Sequence, residues 1–353
     1  MKKKVIDYLI LGGGCSALSL IDQIMNKNIR CYNFLIIEKR KNYIDDKSWC
    51  FWDNINSNFK YLSEASWKYY SISFSKFENK LYNNNYLYYY IRSIKFYQHV
   101  IDKILKFKNI RINLNEKVIN FKKNKSYYTV VTNKKSYIAK NIIDTRPRLD
   151  VYKNYPFLYQ VFFGYEIKLK KNNKIRLNYN KVNLMENMKA DDKTFSFNYI
   201  LPIKKNHILF EYTTFSKTIF SYKYLEDALK KALREKKIKF YKIIRKEYGC
   251  IPMGLVDKNK ILNSKNYVYA GTAAGAVRPS SGYAFLRIQN WASICSKAIY
   301  KNGTIKSFPK DSLLLSFLDK IFLIIISKNI SNSCYIFHYF SKNICSSTFV
   351  KFM

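Results

Sequence analysis

Val5-Ile6-Asp7-Tyr8-Leu9-Ile10-Leu11-Gly12-Gly13-Gly14-Cys15-Ser16-Ala17-Leu18-Ser19-Leu20-Ile21-Asp22-Gln23-Ile24-Met25 decides the fold. An apolar run with one acid meets three glycines, after which Ala17, Leu18, Leu20, Ile21 and Ile24 recur at helical spacing. The reading is strand, turn, helix. Gly12-x-Gly14-x-x-Ala17, with Gly13 between, is the spacing that lets backbone approach a pyrophosphate at a helix N-terminus. A second apolar strand, Phe34 to Ile37, ends at Glu38, an acid placed to accept from a ribose hydroxyl. An acid at that point favours an unphosphorylated ribose, so FAD or NAD is expected rather than NADP.

Working outward, glycine is scarce: eight of the ten glycines fall in residues 12–14 and 249–282. Glycine is needed where φ is positive or backbone packs closely on a ligand, so two dense blocks mark two constrained turns. The second contains Tyr267-Val268-Tyr269-Ala270-Gly271-Thr272-Ala273-Ala274-Gly275, then Arg278-Pro279-Ser280-Ser281-Gly282-Tyr283. Short strand, glycine turn and following helix resemble the late flavin-contacting segment of FAD enzymes of the glutathione-reductase type. That resemblance narrows the cofactor to FAD and implicates Gly271, Thr272 and Gly275 in holding it, although many such enzymes carry an acid where this chain has Thr272. The fold class expected is α/β: a Rossmann-type FAD-binding domain with an inserted antiparallel β substrate domain and a helical C-terminal tail.

Composition bounds the alternatives. A chain of 353 residues with 48% hydrophobic content supports two domains with a substantial core. The seven cysteines are scattered, without a C-x-x-C pair and with three histidines beside them, so neither a zinc site nor a disulfide framework is expected. They read as reduced thiols of a cytoplasmic protein. The lysine-rich start leads directly into a strand interrupted by Asp7, which is too short for a signal peptide. The formal charge of +39 is spread through every segment, alongside heavy use of Asn, Ile, Tyr and Phe. That spread reads as coding bias rather than a nucleic-acid surface, since no compact arginine-rich stripe is present.

Domain boundaries follow from the pattern. Residues 1–150 with 245–305 form the expected discontinuous FAD-binding domain, 151–244 a mainly antiparallel substrate domain, and 306–353 the helical tail. Residues 45–52, with two tryptophans, read as a loop, whereas 161–169, 194–203 and 207–215 read as strands. A lysine-rich helix covers about 223–237. Leu313 to Ile326 is too short and too polar at its centre to span a bilayer, which leaves a core-packed helix or amphipathic docking on a membrane surface.

Six short segments, in order, resemble the motifs of bacterial lycopene cyclases: Asp46 to Trp52, Ile91 to Tyr97, Leu201-Pro202, Phe210-Glu211-Tyr212-Thr213-Thr214-Phe215-Ser216, Gly249 to Gly254, and Gly271 to Tyr283. The resemblance runs from residue 5 to about 325. It implies FAD acting in its reduced form, with NADPH or another reductant to reduce it. The implied reaction has no net oxidation: a ψ-end of lycopene is protonated and closes to a β-ring, giving γ- or β-carotene. Implied too are a hydrophobic polyene substrate, peripheral membrane association and no specific nucleic acid. A monooxygenase or polyprenyl reductase shares the same frame, and a degenerate, non-catalytic flavin-binding protein is the remaining alternative.

Such chemistry needs a buried acid, a dry cavity and walls that stabilise a cation. Glu211, the acid of an otherwise uncharged strand, is the first candidate, and its pKa should rise by desolvation. The acidic pair of related cyclases is broken here by Tyr212. Glu186, where bacterial cyclases carry an acid, is the second candidate, although Asn187 and Met188 replace the aromatic and arginine that should follow. Trp49, Trp52, Tyr212 and Tyr283 are candidate substrate-binding residues, with core packing the alternative for the tryptophans. Arg92 pairs either with a cofactor phosphate or with a structural acid. No metal ligand set is expected.

Overall fold

A computed structural model describes residues 5–171, 173, 177–261 and 263–353. The opening segment folds as its pattern predicts: strand Val5–Leu11, helix Cys15–Asn26 and strand Phe34–Ile37. The strands are parallel, with Leu9 opposite Leu35 on one side and Ile142 on the other. Their sheet runs Ile110–Asn113, Phe34–Ile37, Val5–Leu11, Ser136–Asp144, Tyr127–Thr132 and Val118–Asn124, and Tyr267–Tyr269 adds in parallel to the end of Ser136–Asp144. Continuous apolar runs suit strands covered on both faces. One face buries Ile10, Ile36 and Ile143 against Leu18, Val100 and Trp291 of helices Cys15–Asn26, Ser93–Ile104 and Phe285–Asn302. The other packs Leu9, Leu35 and Ile142 against Tyr128, Val130 and Tyr267.

The second sheet runs Tyr241–Val256, Tyr152–Leu169, His207–Ser216, Thr194–Lys204, Lys181–Ala190, Tyr69–Phe74 and Phe77–Tyr82. It is not confined to 151–244. The hairpin from residues 69–82 joins Lys181–Ala190 in parallel, and Tyr241–Val256 continues past the expected boundary. Pairing an otherwise open sheet edge accounts for the borrowed hairpin, because an unpaired edge leaves a row of backbone groups without partners. Residues 45–52 also differ from the expected loop. Ser48–Asn54 is a strand antiparallel to Tyr86–Arg92, which in turn pairs with Ala65–Trp67. Cross-strand aromatic pairs stabilise it: Phe51 stacks on Tyr89 at 5.6 Å between ring centroids and Trp52 meets Tyr88 at 4.3 Å.

Period-two alternation divides His207–Ser216 between two compartments. Ile208, Phe210 and the half-buried Tyr212 face helix Tyr222–Glu235, whose Leu225, Leu229 and Leu233 are buried. Leu209, Glu211, Thr213 and Phe215 face the opposite way, into the space between the two sheets. The tail folds as helices Leu313–Lys328, Ser333–Asn343 and Ser346–Phe352. Its Leu323, Ile326, Cys334 and Phe349 pack with Tyr70, Leu158 and Phe195 of the second sheet, so the tail closes that compartment.

Candidate active site

A cavity of about 970 Å³ extends from the first glycine turn, between the sheets, to the tail. At one end Gly12 has φ +90° and its N–H donates to the Ile37 carbonyl at 2.9 Å. A Cβ at Gly12 would come within 3.0 Å of Thr145 Oγ1, so the turn takes glycine for both conformation and space. Gly14, by contrast, faces open space, and helix Cys15–Asn26 begins there without a side-chain cap and without an acid in its first turn. Its leading N–H groups and the positive end of its dipole therefore face the cavity free to take an anion. Ala17 is fully buried behind them.

Glu38 follows the second strand as expected. One carboxylate oxygen accepts the Gly13 N–H at 2.5 Å and the other accepts the Arg40 N–H at 2.8 Å. Burial alone would raise its pKa, but these backbone donors and the Arg40 guanidinium lower it overall, so it stands as an ionised acceptor. The late glycine block packs against the first: Gly271 and Gly275 have φ of +72° and +86°, and a Cβ on Gly271 would sit 2.7 Å from Ser16 Oγ. Thr272 lines the cavity, and its carbonyl accepts from the Tyr152 hydroxyl at 2.8 Å. Uncapped helix, left-handed glycines, the Glu38 carboxylate and the nearby Arg40 and Arg146 form a cradle that suits a dinucleotide.

The cavity's far part is apolar, lined by Leu184, Phe197, Phe215, Phe322, Phe337 and Phe349. Glu211 lies on its wall, 6% exposed, and no side-chain or backbone donor among the described residues reaches it. Desolvation, reinforced by the negative charge of Glu247 and partly opposed by Arg245, raises its pKa well above the usual carboxylate range. Burial in this wall therefore favours the protonated form of Glu211. Beside it, three buried phenols are linked in a row, with Tyr88 bonded to Tyr199 at 2.7 Å and to Tyr283 at 2.8 Å. Burial raises all three well above the usual phenol value, so each remains a neutral hydroxyl.

The structure sorts the remaining candidates. Trp49 and Tyr283 line the cavity. Trp52 lies behind the wall, its ring 5.3 Å from that of Tyr283 and 6.0 Å from that of Phe349. Tyr212, expected to touch substrate, points to the other face of the sheet, because strand alternation turns it away from Glu211. Arg92, read as pairing with either a cofactor phosphate or a structural acid, is bonded to Asp45 and lies 3.9 Å from Glu64 and 3.7 Å from Glu166. It serves the structural-acid alternative. Glu186, the second candidate acid, is not brought to the cavity. Register shifts on both sides of it, with Asn187 at φ 51°, turn its carboxylate to Lys236, 2.5 Å away, in a separate polar pocket.

Sequence reading missed a buried network beside Glu211. Glu247, 3% exposed, accepts from the Ser48 N–H at 2.8 Å, the Ser48 hydroxyl at 2.7 Å and Arg245 at 2.7 Å. Arg245 also donates to Glu166 at 2.9 Å, and Glu166 meets His207 Nε2 at 2.7 Å. Burial would raise Glu166, but His207, Arg245 and Arg92 pull it down to about 2. One signal was available: Gly164 stands alone inside a strand, outside both glycine blocks, and an isolated strand glycine marks a close approach.

This architecture defines the class: the fold is that of flavin-dependent monooxygenases, halogenases and reductases. The chain is similar to a geranylgeranyl bacteriochlorophyll reductase-like protein of Thermoplasma acidophilum (12% identity, TM-score 0.62, covering 99% of this chain and 90% of that one). It is similar to p-nitrophenol 4-monooxygenase PnpA of Pseudomonas putida (10% identity, TM-score 0.62, 99% and 92% covered). The flavin-dependent monooxygenase PieE, solved in complex with FAD and substrate, matches at 10% identity and TM-score 0.58 over 84% of this chain and 58% of that one. No curated protein matches the sequence. The chain belongs to the lycopene cyclase protein family, whose model matches residues 7–317.

Proposed function

We propose that this chain is an FAD-dependent lycopene β-cyclase in which Glu211 is the proton donor. Glu211 carries the reading: it is a buried carboxyl group whose pKa is raised by desolvation, without a hydrogen-bond partner among the described residues, on the wall of a largely aromatic and aliphatic cavity. A general acid must hold its proton until an acceptor arrives, and an apolar setting gives that. The acid proton passes to the terminal double bond of a ψ-end, the adjacent tertiary cation is attacked by the neighbouring double bond, and a ring proton passes back to the ionised Glu211, leaving a β-ring. Aromatic faces of Trp49, Phe197 and Tyr283 favour the cationic stage, and the closed apolar end keeps water from trapping it.

FAD fits the cradle. Its pyrophosphate would lie at Gly12 to Gly14 and the helix behind them, its ribose at Glu38, and its ring system near Thr272. In reduced form, which NADPH or another reductant would maintain, it would supply an electron-rich ring with no net electron transfer. Peripheral membrane contact belongs to the same proposal. Helix Leu313–Lys328 exposes Leu314 (68%), Phe317 (59%) and Ile325 (42%) while Leu323 is fully buried, and no helix among the described residues is long and apolar enough to cross a membrane. An apolar strip beside the polyene cavity, in a lysine-rich chain, suits substrate entry from an anionic lipid surface.

Expression in a lycopene-accumulating bacterial host tests the activity. The pigment should shift from red to orange-yellow, with new carotenoids of unchanged mass. Red cells containing folded, FAD-loaded protein would overturn the cyclase reading and favour a non-catalytic one. A product altered by two hydrogens or one oxygen, with reductant consumed in proportion, would indicate a reductase or monooxygenase instead.

A further inference from the structure

The strand registers put three residues in one row across the second sheet. Glu211 lies opposite Gly164 on one side, and Glu247 lies opposite Gly164 on the other. The two acids are therefore separated by a single strand, and that strand has no side chain at the point between them. A Cβ on Gly164 would sit 2.5 Å from Glu211 Cγ and 3.1 Å from its Oε1, so the Glu211 side chain occupies the glycine's space and leans towards Glu247.

The two carboxyls are otherwise unlike. Glu247 has donors on both oxygens, from Ser48 and from Arg245, with which it forms an ion pair at 2.7 Å, and these fix it in one place. Glu211 has none among the described residues. Pairs of acids whose surroundings differ in this way take different protonation states, because the second charge must form beside the first in a medium that screens poorly.

We propose that Glu247 is a positioning residue whose fixed negative charge, held by Ser48 and Arg245 across the Gly164 gap, keeps Glu211 in its proton-donating form. The proposal deepens, and rests on, the reading of Glu211 as the acid of the cyclisation. Other groups around Glu211 do not supply this control. Arg245 acts in the opposite direction, but its guanidinium is shared among Glu247, Glu166 and Asp45. Arg92 is likewise shared among Asp45, Glu64 and Glu166, and Glu166 is in addition hydrogen-bonded to His207 and Tyr90. Tyr199, opposite Glu211 on the neighbouring strand, and Cys50 and Tyr88 near it are neutral, since burial raises all three. Once Glu211 has given up its proton, two carboxylates stand beside the nascent cation, so the charge that keeps the proton in place also favours the cationic product of its transfer.

The test is made on full-length, FAD-loaded protein and does not require turnover. The infrared carbonyl band of protonated Glu211, identified by its loss in Glu211→Gln, is titrated against pH in the wild type, Glu247→Gln and Glu247→Asp. The midpoint should fall by about one pH unit or more in Glu247→Gln, a tenfold or larger change in the protonation equilibrium, and stay high in Glu247→Asp, which keeps the charge. On lycopene, kcat of Glu247→Gln should fall at neutral and higher pH with KM little changed. An unmoved midpoint in folded Glu247→Gln overturns the proposal. Should Glu247→Gln not fold, Arg245→Gln combined with Glu247→Gln removes both members of the ion pair, a replacement buried pairs often tolerate. Measured against Arg245→Gln alone, a lower midpoint in the double variant supports the proposal, and an equal or higher one overturns it. Undiminished cyclisation by Glu211→Gln would instead remove the parent reading while leaving the titration result intact.

Discussion

Glu211 and Glu186 belong to the same sheet, with one strand between theirs, yet their surroundings give them opposite chemistry. Glu211 lies on a cavity wall with Thr213 and Phe215 and forms no ion pair among the described residues. Glu186 lies in a polar pocket of about 500 Å³, where Lys236 Nζ is 2.5 Å and Asn183 Nδ2 3.1 Å from its Oε1. An unpaired acid in an apolar wall is pushed towards its protonated form, whereas Glu186 is bound to an ammonium in an ion pair. What decides between the two is the register of one strand. The shifts around residue 186 leave Leu184 and Met185 on the cavity and rotate the acid between Met185 and Asn187 away from it.

The largest expected effect comes from removing the difference at its source. Glu211→Gln keeps the shape and loses the proton, so cyclisation should fall by about 10²–10⁴-fold, the range of a general acid, while FAD content stays unchanged. Stability should move in the opposite sense to activity. The folded pKa of Glu211 is raised above its unfolded value, so the folded state holds the extra proton: the group's cost is absent below the unfolded pKa and grows as pH rises towards the folded one. Glu211→Gln should therefore lose less thermal stability than wild type between pH 5 and pH 8. Melting curves across that interval check the sign, and an identical pH slope in the two proteins would show that Glu211 is ionised in the folded state.

A smaller effect is expected from crowding the acid without altering it. Gly164→Ala places a methyl group 2.5 Å from Glu211 Cγ. Either the carboxyl swings out of the gap or the strands part, at a cost of about 1–3 kcal/mol. Turnover should drop by about 10–100-fold with FAD still bound, because the cradle at Gly12 and Gly271 is built on the other sheet. Kinetics together with the flavin spectrum of the same preparation separate this outcome from general unfolding. Wild-type turnover in Gly164→Ala would mean that the approach of Glu211 to Gly164 is not used.

The cofactor end of the molecule was legible because its constraints are local. Gly12 to Ala17 is a contiguous turn and helix start, and Glu38 follows at the end of the next strand, so glycine positions and periodicity expose both. The acid end was legible only where one residue broke an apolar strand, as Glu211 does. Its partners were not, because strand pairing brings Ser48, Gly164 and Glu247 together from distant parts of the chain. Tyr212 was assigned to the wrong side for a related reason. His207–Ser216 is buried on both faces, so no polar alternation says which set of side chains faces the cavity and which faces Leu225 and Leu229. Glu186 failed differently: Asn187, in the left-handed region that asparagine tolerates better than most residues, marks the irregularity that turns the acid away. The Ser48–Asn54 strand was hidden because its stabilisation comes from rings on another strand, not from its own sequence.

The smallest effect closes the comparison from the other side. If Glu186 is a structural anion, Glu186→Gln should leave cyclisation within about twofold of wild type, since neither the cavity wall nor Glu211 changes. The cost falls on stability and is limited by exposure: Lys236 is 35% exposed and Glu186 14%, so water already screens the pair and its loss amounts to no more than about 1 kcal/mol. That cost should shrink as salt is added, because a part-exposed ion pair is screened, whereas the cost of Gly164→Ala is steric and should not respond. A tenfold or greater fall in turnover for Glu186→Gln, at unchanged FAD content, would place Glu186 in the reaction after all and require the strand around it to shift register when substrate is bound.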